Sequence, residues 1–211
     1  MIKIKNLNIN FKNDIIYNNF SLEVNKGDKV ALVGKSGSGK STMLNLLAGF
    51  ITDFTGNIFI QKMLLSSDNI HKIREIIAWL PQETIIQTKT VNDLFITPFK
   101  FDINKYNTPN DSEIKDIFHH LELSKDILLK DTKNISGGER QRIMLASCLL
   151  LKKDIILLDE PTSALDNVTK NKITDYILSQ KDITVIAATH DNYWINKSTK
   201  VITLPANNSN F

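Results

Sequence analysis

Apolar residues recur along this chain with two periods, and the switches between them mark out its elements. Ile2, Ile4, Leu7 and Ile9 form one alternating run; Phe20, Leu22 and Val24 against Ser21, Glu23 and Asn25 form another. Period-two patterning predicts two half-buried strands, joined by the polar turn Lys12-Asn13-Asp14. Lys26-Gly27-Asp28 then turns the chain into Lys29-Val30-Ala31-Leu32-Val33, an apolar run of buried-strand length. Strands are also expected at residues 56–60 and 76–80, the second stopped by Pro81. The runs at 154–158 and 183–188 are continuous, the pattern of parallel strands buried on both faces. Helical spacing appears after Ser41, where leucines recur through Ala48, and again at Ile114, Ile117, Phe118 and Leu121, with Asp111 or Ser112 as the expected cap. A third apolar-periodic helix opens at Ser136. Between about Glu83 and Ile135 strand signals fade and 104–111 is broken, which reads as an inserted helical lobe. Strands alternating with helices predict an α/β sandwich, and the tail Asn207-Asn208-Ser209-Asn210 reads as disordered.

Composition narrows this only a little. The 211 residues suit one domain, with or without an inserted lobe, and 42 % apolar with 23 % charged residues describes an ordinary globular protein. A formal net charge of +3 does not by itself point to nucleic acid or a membrane surface. The one cysteine, Cys148, cannot form an intramolecular disulfide and sits in an apolar stretch, so a packed core thiol is expected. That stretch, residues 143–151, is far short of the roughly 20 residues needed to cross a bilayer. The opening Met1-Ile2-Lys3-Ile4-Lys5 has the alternation of a strand and no signal-peptide core. A cytoplasmic chain is expected; if it works at a membrane, another subunit supplies the spans.

The chemistry begins at Gly34-Lys35-Ser36-Gly37-Ser38-Gly39-Lys40-Ser41, which matches the phosphate-binding pattern G-x-x-x-x-G-K-[ST] between a predicted strand and a predicted helix. Glycines let backbone N–H groups close on phosphate oxygens, and the helix start adds partial positive charge. Lys40 is expected to reach the β- and γ-phosphates, and the Ser41 hydroxyl to ligate Mg²⁺. The apolar run 155–158 leads directly into Asp159-Glu160, placing Asp159 at a parallel-sheet edge to hold Mg²⁺ and Glu160 to accept a proton from an attacking water. Ser136 and Glu139 have capping-box spacing. Gly137 and Gly138, costly inside a helix at about 1 kcal/mol each, are explained if a phosphate approaches their N–H groups. The pairs His119-His120 and Lys152-Lys153 read as an exposed helix face and a solvated turn.

Six motifs in order carry a family resemblance: the phosphate loop, Leu80-Pro81-Gln82, Ser136-Gly137-Gly138-Glu139-Arg140-Gln141-Arg142, Ile155-Ile156-Leu157-Leu158-Asp159-Glu160-Pro161, Ser163-Ala164-Leu165-Asp166, and Thr189-His190-Asp191. Together they resemble the nucleotide-binding domain of an ABC transporter over essentially the whole chain. The resemblance implies a P-loop NTPase core with an N-terminal antiparallel β subdomain, the core comprising 1–82 and 136–211 and the helical subdomain 83–135. It implies an ATPase using ATP and Mg²⁺, with Thr42 included in the phosphate site and Gln82 touching the metal. Glu160 would be the base and His190 the switch residue that orders the water. Ser136 and Gly138 would grip the γ-phosphate of ATP held by a second copy of the chain, and Asp166 would communicate across that dimer. Phe11 would stack on adenine, with Tyr17 as the alternative. The other implied partner is an integral membrane permease; no nucleic acid is implied, and the place of work is peripheral, on the inner face of the cell membrane. Residues 90–99, 126–130 and 195–204 resemble ATPases of the bacterial iron-export (FetA-like) type. Small ATPases of lipoprotein-release or antimicrobial-peptide exporters are the next resemblance.

Overall fold

The computed structural model describes residues 1–11, 14–82 and 87–204. Lys12 and Asn13 of the expected turn, residues 83–86 at the start of the expected lobe, and the tail 207–210 lie outside the described residues. In chain order the strands and α-helices are β1 (Ile2–Phe11), β2 (Asp14–Val24), β3 (Lys29–Val33), α1 (Lys40–Leu47), β4 (Thr55–Ile60), β5 (Met63–Leu64), α2 (Ile70–Glu75), β6 (Ile77–Leu80), α3 (Val91–Ile96) and α4 (Asp111–His120). There follow α5 (Gly137–Leu150), β7 (Ile155–Asp159), α6 (Asn167–Ser179), β8 (Thr184–Ala188), α7 (Asn192–Lys197) and β9 (Lys200–Thr203).

Two sheets result. An antiparallel sheet runs β2-β1-β4-β5 and a parallel sheet runs β6-β7-β8-β3-β9. The continuous apolar runs form the middle of the parallel sheet, and alternate side chains of each strand enter different apolar clusters. Val30, Leu32, Ile155, Leu157, Ile186 and Ala188 join α1 and the antiparallel sheet in one cluster. Ala31, Ile156, Leu158, Val185 and Ala187 join helices in the other. A strand buried on both sides has no polar face to offer, which is why its sequence does not alternate.

The predicted elements are present, with three differences. First, β2 begins at Asp14, well before Phe20. Its pairing with β1 is interrupted by register shifts, and Asn6 and Asn19 take positive φ, so the irregular stretch hides its alternation. Second, α4 is capped by Asn110, not by Asp111 or Ser112. Asn110 accepts the Glu113 N–H and Glu113 accepts the Asn110 N–H, each at 3.0 Å. The reciprocal box needs an acceptor three residues on, and Glu113 supplies it; Ile114 and Lys115 cannot. Third, Lys153 is buried at 5 % exposure, not solvated. Lys152 takes a left-handed turn (φ 54°) and pairs with Glu113, and Lys153 turns inward, where burial holds its ammonium below the usual lysine range.

The segment from α3 to the start of α5 is helical, as expected. Val91, Leu94, Phe95, Ile117 and Phe118 share one cluster with Ile143, Leu145 and Ala146 of α5. Cys148 is buried there. Among the described residues no helix is long and apolar enough to cross a membrane.

Candidate nucleotide site

Three neighbouring strands of the parallel sheet end at one edge. β3 runs into the phosphate loop, β8 into Thr189-His190, and β7 into Asp159-Glu160. A cleft of about 410 Å³ opens there. From the loop, Ser36, Gly37, Gly39, Lys40, Ser41 and Thr42 line it; from elsewhere in the chain come Gln82, Asp159, Glu160, Ser163 and His190. Ligands of open α/β sheets bind at this carboxyl edge.

The loop is built to receive an anion. The Lys40 ammonium lies back on the carbonyls of Gly34 (2.9 Å) and Lys35 (3.2 Å). Ser38 is buried, and its Oγ has no hydrogen-bond partner among the described residues. That hydroxyl packs against the Gly34 backbone beneath the loop and does not line the cleft. Gly39 caps α1 in the left-handed region (φ 92°), with no side-chain cap. A Cβ there would stand 2.8 Å from Ile16 Cγ2 and 3.0 Å from the Tyr17 hydroxyl, so only glycine fits.

Across the cleft, burial raises the Asp159 carboxyl above the usual range, against a hydrogen bond from Ser41 and the charge of Lys40. A hydroxyl bonded to a buried carboxylate, with the Gln82 amide in the same wall, is an oxygen-donor set suited to a hard divalent cation. These residues fit Mg²⁺.

Glu160 sits just past β7 with φ 48°, a conformation costing on the order of 1 kcal/mol for a side-chain-bearing residue. Four hydrogen bonds hold it. Its N–H donates to Ala188 (2.9 Å), and its carbonyl accepts from Gln141 Nε2 (2.8 Å), Ser163 Oγ (3.1 Å) and Ser163 N–H (3.3 Å). Burial raises its carboxyl, partly offset by His190, whose Nε2 is 3.7 Å from Glu160 Oε1. The Glu160 side chain is 17 % exposed and that of His190 60 %, so the acid is sheltered and the imidazole faces the opening.

Ser136, Gly138, Glu139 and Asp166 lie outside this cleft. Ser136 and Glu139 form the expected capping box, with bonds of 3.1 and 2.8 Å, and Asp166 caps α6 through Val168 and Thr169. Gly137 is exposed and lines a smaller cavity of about 130 Å³ that shares Gln82 and Ser163 with the main cleft. Gly138 has a reason internal to the chain: a Cβ would lie 2.9 Å from the Ala164 carbonyl. At Gly137 a Cβ would meet nothing within 4 Å, so no packing contact inside the chain asks for glycine there. Phe11 is 65 % exposed at the turn end of the β1–β2 hairpin, where it pairs with Asp14, and Tyr17 is 1 % exposed. A buried ring cannot stack on a base, which removes the Tyr17 alternative. Ser163 and Gln141 went unassigned in the sequence, although both stand inside motifs quoted there.

Residues 17–163 match the sequence model of a family described as ABC transporter. The chain belongs to the ABC transporter family. It is an ATPase domain of that family. It is 34 % identical to the energy-coupling factor transporter ATP-binding protein EcfA1 of Fusobacterium nucleatum, over 97 % of this chain and 78 % of that one. It is 32 % identical to the probable iron export ATP-binding protein FetA of Escherichia coli, over 90 % of this chain and 84 % of that one. The mesentericin Y105 transport/processing ATP-binding protein MesD of Leuconostoc mesenteroides is 35 % identical over 81 % of this chain, which spans only 24 % of that relative. Among solved structures, the dimeric ATP-binding cassette MJ0796 in a post-hydrolysis state with ADP and Pi superimposes with a TM-score of 0.81 at 27 % identity, covering 97 % of this chain and 94 % of that one.

Proposed function

We propose that this chain is the ATP-hydrolysing subunit of a transporter, working as an ATP-sandwich dimer on the inner face of a membrane beside a separate permease. The observation that carries the reading is the convergence of Lys40, the Ser41–Asp159 pair and the Glu160–His190 pair in one cleft at the ends of β3, β7 and β8. Phe11, exposed at the hairpin end, takes the adenine face. The phosphate loop holds the phosphates, with Lys40 leaving the Gly34 and Lys35 carbonyls to bind the β- and γ-oxygens. Ser41, Asp159 and Gln82 hold Mg²⁺, which when bound neutralises charge on the phosphate oxygens. Glu160, made more basic by burial, accepts a proton from water as the water oxygen attacks the γ-phosphorus. The bond from phosphorus to the bridging oxygen breaks, and ADP and inorganic phosphate leave. His190 orders the water and the γ-phosphate from the open side. Ser136 and Gly138, with the bare Gly137 between them at the start of α5, grip the γ-phosphate held by the second copy, so hydrolysis loosens the dimer. Residues 83–135 act as the lobe of a continuous core, carrying movements between this site and the permease.

The test is Glu160→Gln, read by size-exclusion chromatography with and without ATP and by phosphate release. An ATP-dependent dimer without phosphate release is expected. Hydrolysis at the native rate would remove Glu160 from the mechanism. For the transported class, residues 90–99 and 195–204 favour metal export, in keeping with the match to the probable iron export relative. Metal-sensitive growth of cells lacking this chain tests it; unchanged tolerance to iron would sink it.

A further inference from the structure

We propose that Tyr17 is a positioning residue of the nucleotide site: its hydroxyl sets the peptide plane between Gly39 and Lys40 so that the Lys40 N–H faces the bound phosphates. The proposal rests on the cleft being a nucleotide site. Tyr17 reaches the loop from a different layer, as part of β2 in the antiparallel sheet, 22 residues upstream. Its hydroxyl donates to the Gly39 carbonyl at 2.9 Å. The same oxygen accepts the Met43 N–H at 2.8 Å, the first bond of α1. Two donors from different directions fix where that carbonyl points.

A trans peptide carries its C=O and N–H on opposite sides of one plane. Holding the Gly39 oxygen on Met43 and Tyr17 therefore holds the Lys40 N–H at the opposite, leading end of α1, beside residues that line the cleft. Glycine is where such a tether matters most. Gly39 sits at φ 92° without a side-chain cap, and glycine turns over its flanking peptides at less cost than other residues. The contact is also close-packed, since a Cβ on Gly39 would meet both Ile16 and Tyr17. The Tyr17 ring is held in turn by Phe20, centroid to centroid 5.1 Å, in a tilted pair. Burial pushes the phenol well above its ordinary value, so the hydroxyl remains a donor at every working pH.

The experiment uses Tyr17→Phe, which removes one oxygen and keeps the ring, and Tyr17→Leu, which gives up the ring as well. Losing one neutral hydrogen bond's worth of preorganisation corresponds to about a fivefold loss of affinity. Tyr17→Phe should raise the Kd and KM for ATP about fivefold, leave adenosine affinity unchanged, and keep kcat at saturating ATP within about twofold. In the nucleotide-free protein, exchange of the Met43 amide, which shares the Gly39 oxygen with Tyr17, should speed up while the amides of Val30 to Leu32 do not. Tyr17→Leu should match Tyr17→Phe in ATP affinity and melt lower. Unchanged ATP affinity in Tyr17→Phe would overturn the proposal. So would an affinity that falls only in Tyr17→Leu, or falls equally for adenosine, since Tyr17 would then be a packing residue. A wild-type chain that binds no ATP in the same titration would instead sink the nucleotide-site reading.

Discussion

The two glycines that open α5 offer a sharp test, because one substitution at adjacent positions should act in opposite directions. An added Cβ at Gly137 meets nothing within 4 Å, whereas at Gly138 it meets the Ala164 carbonyl at 2.9 Å and Leu165 Cδ2 at 3.3 Å. Alanine is favoured over glycine by up to about 1 kcal/mol in a helix interior, and about half of that is a reasonable share in the first turn. Gly137→Ala should therefore raise the melting temperature by about 1–2 °C in a chain of this size. At Gly138 the obstacle is a backbone oxygen that cannot rotate away. Overpacking of that kind costs about 1–3 kcal/mol, so Gly138→Ala should melt about 2–12 °C lower. Calorimetry without nucleotide reads both. Phosphate release then separates stability from function. The Gly137 methyl would stand where the second copy's nucleotide meets the helix N-terminus, so the more stable variant should hydrolyse ATP at least tenfold more slowly. A stabilised Gly137→Ala with native turnover would refute the claim that this bare helix end serves a phosphate. A destabilised one would refute the geometry.

Further outcomes follow from the same contacts. Gln141→Glu keeps an acceptor for the Ala164 N–H but sets a carboxylate against the Glu160 carbonyl. It should lower kcat at least tenfold with ATP affinity within about threefold, and unchanged kcat in steady-state phosphate release would rule out a positioning role. Cys148 is 4 % exposed, and burial pushes its thiol up to about 12. A thiol reagent at pH 8 should modify it only at the rate of unfolding, and prompt labelling of the native protein would contradict the burial. The raised folded value also fixes a sign. The stability it contributes is complete below the unfolded value near 8.5 and is lost as pH rises toward 12. Urea midpoints should fall more steeply above pH 9 for the wild type than for Cys148→Ala.

The parts of this site that sequence reveals are those carried by short-range pattern. The phosphate loop, the Asp159-Glu160 pair after an apolar run, and the Ser136–Glu139 box each fit within eight residues. What escapes is set by register between distant segments. The hydroxyl of Tyr17 meets Gly39 only because β2 lies against the loop, and Gln141 meets Glu160 only because α5 packs on the turn after β7. A tyrosine in an irregular strand gives no sign of which backbone carbonyl it will find. Lys153 and Asn110 were misjudged for a related reason, because each depends on a neighbour's conformation: the left-handed turn at Lys152 and the acceptor at Glu113. Gly138 shows the converse, a local oddity with a tertiary cause.

The order of strands in the parallel sheet has a consequence for how the protein comes into being. β3 leads into the phosphate loop, and its two neighbours are β8 and β9. About 150 residues must be made after Val33 before either exists. At about 5–20 residues per second on a ribosome, that leaves the strand unpaired for roughly 8–30 s. During that time the loop is complete in sequence and has no sheet to hold it. ATP therefore cannot act as an early folding template here; it can only capture a chain whose last strands have already closed the sheet.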